Sequence, residues 1–117
     1  MNRLPRYEKA IIPIEKLTKY ALNPDSQPHK ALAFELALGY TKYNAIKLAE
    51  NIKANLDKFP AKCKGNKGYG NLYEVVLELV GENGKTVKVL TGWIDDISSG
   101  EMRLTTIYVD KRREKRP

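Results

Sequence analysis

The sequence predicts an α+β domain in which two or three N-terminal helices pack on a three- to four-stranded antiparallel sheet. Three observations point there. Apolar residues recur at helical spacing as far as Phe59 and alternate with period two from Leu72 onward. The turn signals after residue 80 separate short strands from one another, which describes a meander rather than alternating βαβ units. A chain of 117 residues with 42% hydrophobic and 30% charged content is enough for one core without staples.

The first helical signal is Ile14, Leu17 and Ala21, at i, i+3 and i+7, with Pro13 near the first turn. Asn23-Pro24-Asp25 stops it, because a proline bars the residue before it from helix. Ser26 or Asp25 can cap a second helix, with Pro28 tolerated in its first turn. Along it Leu32, Ala33, Leu36 and Ala37 form the stripe, widened by Phe34 and Leu38, and Gly39 is the expected left-handed terminator. A third helix opens at Thr41 and runs through Ala45, Leu48, Ala49, Ile52 and Leu56 to Phe59-Pro60.

Residues 60–71 read as a glycine-containing loop. Beyond it Tyr73, Val75, Leu77 and Leu79 share one strand face. Asn83-Gly84 predicts a hairpin with positive φ angles, and Val87, Val89, Thr91 and Trp93 return on one face. In the last strand Leu104, Thr106 and Tyr108 oppose Arg103, Thr105, Ile107 and Val109. The expected division is one domain over 1–110 and a basic, flexible tail over 111–117.

Composition narrows the chemistry. The single Cys63 and single His29 exclude a disulfide framework, a multi-cysteine zinc site and a metal site of several histidines. No phosphate-binding glycine loop stands between a strand and a helix, and Asp95-Asp96 is a weak cation signal. No cofactor and no metal is expected. No apolar run approaches the length of a membrane span, and Met1–Pro5 lacks a signal-peptide core, so the expectation is a cytoplasmic protein with no membrane partner.

Charge has structure too. The chain carries 21 Lys and Arg against 14 Asp and Glu, a net of +7. Residues 111–117 hold five cations, Lys111, Arg112 and Arg113 among them, against Glu114. Such a block reads either as a solubilising tail or as an electrostatic arm for phosphates. Lys62, Lys64 and Lys67 form a second basic run, weighing toward a polyanion.

Four groups of residues carry candidate chemistry. His29-Lys30 stands at a helix start, where the dipole favours an anion, and imidazole suits proton transfer near neutrality. A surface histidine beside a cap is the plain alternative. Arg103 and Thr105 share a strand face and can bind a phosphate together, or can be an ordinary exposed strand. Tyr69 and Tyr108 can stack unpaired bases, whereas Tyr73 and Trp93 read as core. Cys63 lies between Lys62 and Lys64 and, without a second cysteine, reads as incidental.

The run Ile14-Glu15-Lys16-Leu17, Asn23-Pro24-Asp25, His29-Lys30-Ala31, Phe34 and Leu38-Gly39-Tyr40 resembles a small bacterial domain family of unknown function. That family is found stand-alone and at the C-termini of polymorphic toxins. Tyr73-Glu74-Val75, Val89 to Ile94 and Arg103-Leu104-Thr105-Thr106 continue the similarity over residues 11–109. The loop before His29 departs from it, with Ser26-Gln27-Pro28 where many relatives have a further glycine. The order of helices then sheet is also similar to the barnase–EndoU–colicin–RelE ribonucleases, an analogy of fold.

The resemblance implies a metal-independent ribonuclease-like toxin domain that cleaves RNA by 2′-OH transesterification. It implies a cleft with His29 and Lys30 on one wall and Arg103, Thr105 and Tyr108 on the other. There His29 is general acid or base, Lys30 and Arg103 stabilise the phosphorane, and Thr105 orients the phosphate. RNA would bind through Lys62, Lys64, Lys67, Tyr69, Lys111, Arg112 and Arg113, and a cognate antitoxin or immunity protein is the implied protein partner. The alternative is a non-catalytic nucleic-acid or protein-binding module of a toxin–antitoxin-like pair.

Overall fold

The computed structural model describes residues 2–111. Arg112 and Arg113 lie outside the described residues. A 3-10 turn at Tyr7–Lys9 and a π-helical turn at Lys16–Ala21 precede α1 (Pro28–Leu38) and α2 (Ala45–Asn55). The sheet follows, with β1 (Ala61–Asn66), β2 (Gly70–Val80), β3 (Thr86–Asp96) and β4 (Met102–Val109). It is antiparallel throughout, in the spatial order β1-β2-β3-β4, so β1 and β4 are its two edges.

The alternation of β2 and β3 puts Val75, Leu77, Leu79, Val89, Thr91 and Trp93 on one buried face. Against it lie Phe34 and Leu38 of α1, Leu48 and Ile52 of α2, and Leu17 of the π turn, in one hydrophobic core. Leu4 and Ala10 from the N-terminal segment join that core, although nothing in their spacing announces it. The segment is tied down where Ile11 N–H donates to Met102 O (2.8 Å) and Leu104 N–H donates to Ile11 O (2.9 Å).

Several expectations change. The first helix is a π turn, with Leu22 N–H donating to Leu17 O at 2.8 Å. Neither Asp25 nor Ser26 caps α1. Asn23 Oδ1 accepts from Asp25 N–H (2.9 Å) and Asn23 O accepts from Ser26 N–H (3.1 Å), so these residues are spent in a turn and Pro28 opens the helix. The buried residues of α1 are Ala31, Ala33, Phe34 and Leu38; Ala33, Phe34 and Leu38 stand on the expected face, while Leu32 (52%) and Leu36 (63%) are exposed. That helix is apolar nearly all round, so its sequence could not choose a face; the large Phe34 decides. Thr41 caps as expected: its Oγ1 accepts from Tyr43 N–H (3.3 Å), and Asn44 Oδ1 accepts from Thr41 N–H (2.7 Å). The helix opens with a 3-10 turn, Lys42–Asn44.

The 60–71 stretch is not a plain loop, because its first half forms β1, an exposed edge strand. The 81–85 turn has one positive φ, at Gly84 (81°), rather than two. It docks on the end of α1, where Asn83 N–H donates to Leu38 O at 3.4 Å. A Cβ on Gly81 would stand 2.3 Å from that same oxygen, so only glycine admits this approach. In β4 the register slips between Gly92 and Trp93, pairing Gly92 with Thr106 but Trp93 with Leu104. Thr105 is the extra residue of a bulge. Met102 and Leu104 face the core before it, and Ile107 and Val109 after it, so the simple alternation expected of β4 fails there.

Thr91 is the one fully buried polar residue among those described. Its hydroxyl donates to Val75 O (2.7 Å) and accepts from Trp93 Nε1–H (2.8 Å). Thr91→Val leaves the indole N–H buried without an acceptor, and is expected to cost about 1–3 kcal/mol. Thr91→Ser keeps both bonds and should cost less. Urea unfolding midpoints of the three proteins check this, and equal stability of the Val variant would refute it.

Candidate functional site

The β4 bulge sits beside a cleft of about 200 Å³. The π turn contributes Lys16 and Tyr20, the start of α1 contributes Gln27 and Lys30, and β4 contributes Thr105 and Thr106, over Ala21, Leu104 and Ile107. β4 has one strand neighbour, β3, apart from the single bridge Ile11–Arg103 among the described residues. The cleft therefore lies along the outer edge of the sheet, under the first turn of α1. The bulge throws Thr105 and Thr106 outward in succession, which a regular strand cannot do.

Two features mark the cleft electrostatically. Lys30 is half-buried, and that burial pushes its ammonium below the ordinary 10.5. Its Nζ stands 5.8 Å from the centre of the Tyr108 ring, and it forms no ion pair among the described residues. Gln27 Oε1 is buried without a hydrogen-bond partner. A buried acceptor left alone is costly, and a donor arriving with a ligand would relieve it.

Of the residues singled out from sequence, Lys30 and Thr105 line this cleft together. Tyr108 stands beside it through its contact with Lys30. His29 is exposed in the first turn of α1 and does not line the cleft. Arg103 is engaged elsewhere: its guanidinium meets Asp96 Oδ2 at 2.8 Å and Glu101 Oε1 at 3.7 Å. Asp95 pairs with Arg6, and no group of three or more His, Cys, Asp or Glu gathers among the described residues.

Lys62 and Lys64 belong to β1, at the opposite edge of the sheet from the cleft, with Lys67 and Tyr69 in the turn that follows. Lys64 is 3.7 Å from Glu74. Lys111 is exposed just after β4. Cys63 is exposed on β1. Sequence reasoning missed Tyr20, Gln27 and the role of Lys16 in the cleft. Lys16 and Tyr20 are one turn apart, a spacing that was visible, but the π turn that presents them was not.

The fold and cleft define a small α+β domain with a cationic, hydroxyl-lined groove at a sheet edge. The family model of a domain of unknown function (DUF6883) matches residues 3–111, and the chain belongs to that family. No curated protein and no solved structure matches the chain.

Asp96 organises the β3–β4 loop next to the site. The Ser98 hydroxyl donates to its Oδ1 (2.8 Å), and with the Ser98 and Ser99 backbone and Arg103 it holds the carboxyl below its ordinary 3.8, against partial desolvation. A depressed carboxyl contributes stability above its unfolded value and loses it as pH falls through the folded one. Asp96→Asn is therefore expected to lower the unfolding midpoint at neutral pH, with the difference from wild type closing as acid protonates Asp96. Thermal melts across pH 2–7 (roughly the carboxyl titration range) check it, and a pH-independent difference would refute the role of the charge.

Proposed function

We propose that this chain is a metal-independent ribonuclease-like toxin domain that cleaves RNA by 2′-OH transesterification in the cleft between α1 and β4. The observation that carries the reading is the desolvated Lys30 amine lining one cleft with the adjacent Thr105 and Thr106. A lysine with a lowered pKa offers more neutral amine near physiological pH than a free lysine does.

The steps follow from the side chains present. Lys30 Nζ, as the free amine, takes the 2′-OH proton, and O2′ forms its bond to phosphorus. The charge gathering on the phosphorane is met by the Lys16 ammonium and by hydrogen bonds from Thr105 and Thr106. The P–O5′ bond breaks as the Tyr20 hydroxyl delivers a proton to O5′. The products are a 2′,3′-cyclic phosphate and a 5′-hydroxyl end. Gln27 Oε1, lacking a partner within the protein, accepts from the substrate. Lys111 and the basic β1 edge add affinity for the phosphate chain without choosing sequence. A basic domain of this kind suits an acidic antitoxin or immunity protein as its protein partner.

Cleavage of single-stranded RNA in EDTA should rise with pH and level off below the pH at which an ordinary lysine would titrate. Lys30→Arg keeps the charge, removes the base and should slow cleavage about 100-fold or more while abolishing that pH limb. His29→Ala should stay within about threefold of wild type; a loss as large as that of Lys30→Arg would return proton transfer to the imidazole. RNA bound but left intact by wild type would sink the enzymatic reading and favour the non-catalytic binding module.

A further inference from the structure

Gly92 lies in the middle of β3, directly opposite Thr106 at the bulge. Glycine weakens a strand interior, and its presence there often marks a close approach by something else. Here the approaching group is identifiable. A Cβ built on Gly92 would stand 2.5 Å from Thr106 Cγ2 and 3.5 Å from Thr105 Oγ1. The Thr106 methyl thus occupies the space that any other residue at position 92 would fill. With Cγ2 seated in that gap, tetrahedral geometry at Cβ turns the Thr106 hydroxyl away from it. A β-branched side chain has few χ1 alternatives.

We propose that Gly92 is a positioning residue for the cleft: its missing side chain seats the Thr106 methyl and so fixes where the Thr106 hydroxyl is presented. The proposal rests on the RNA-cleaving reading for what that hydroxyl does, and on the distance of 2.5 Å alone for how it is held. Gly92 touches no substrate; it acts through Thr106. The bulge and the glycine form one device, since the bulge brings two hydroxyls outward and the glycine gives the second a fixed rotamer.

The atom that collides is Cγ2, and serine lacks it while keeping the hydroxyl. The experiment is a double-mutant cycle read by kcat for RNA cleavage. Gly92→Ala should lower kcat by about tenfold or more with KM little changed, and Thr106→Ser, without the seated methyl, should lower it by a similar factor. Because both changes release the same rotamer, Gly92→Ala combined with Thr106→Ser should cost little more than either change alone. A Gly92→Ala protein as active as wild type, or a double variant whose loss is the product of the two single losses, overturns the proposal.

Should the alanine variants fail to fold, three-bond couplings to the Thr106 methyl in wild type decide it. One fixed χ1 supports the seat, and rotamer averaging overturns it. The same coupling keeps the two claims apart. An absence of cleavage by wild type removes the reaction, whereas an averaged rotamer in an active protein removes only the positioning role of Gly92.

Discussion

The extra residue in β4 is the constraint on which the rest of the molecule depends. An edge strand that must bury Met102 and Leu104 and also Ile107 and Val109 has an odd number of steps between its two apolar pairs. Two-residue periodicity cannot satisfy both. The slip at Thr105 resolves the conflict by letting one residue go unpaired, and the register with β3 resumes on the other side. Both halves of the strand then contribute to the core. Two consecutive hydroxyls are left on the outside, at the one place where α1 and the π turn lean over the sheet edge. Core packing and the character of the cleft are consequences of a single irregularity.

The opposite end of α1 is held as firmly as its start is open. Gly39 takes φ 78° to end the helix, and the β2–β3 turn closes on it through Asn83 and Gly81. At the same end, Asn51 Nδ2 donates to Tyr40 Oη (2.9 Å) and to Val80 O (2.9 Å), joining α2 to the end of β2. The first turn of α1 has no side-chain cap, so its leading amides lack partners within the helix. The helix thus has one packed end and one end without a side-chain cap.

How much of this was legible in the sequence varies with how each element is stabilised. Thr41 with Ala45, Leu48, Ile52 and Leu56 announced α2, because its cap and its stripe are local facts. The faces of β2 and β3 were equally plain, since alternation there is unbroken. The inward face of α1 was hidden, because Leu32 and Leu36 are as apolar as Phe34 and Leu38 and only packing distinguishes them. β1 was hidden because lysines and glycine give it no apolar pattern; its pairing with β2 makes it a strand. In the cleft, Lys30 and Thr105 could be named from residue chemistry. Tyr20, Gln27 and Lys16 could not, because a π turn and an uncapped helix start bring them there.

The placement of basic residues at both edges of the sheet has a kinetic meaning. Three interstrand gaps of about 4.8 Å put β1 roughly 14 Å from β4, too far for one phosphate group to touch both. On the RNA-cleaving reading proposed above, Lys62 and Lys64 would therefore meet a different nucleotide from the one in the cleft, or none. On that reading their charge would bear on capture and residence, in a manner screened by salt, and not on the rate of bond breaking in a chain already bound. Docking and turnover would then be spatially separable quantities.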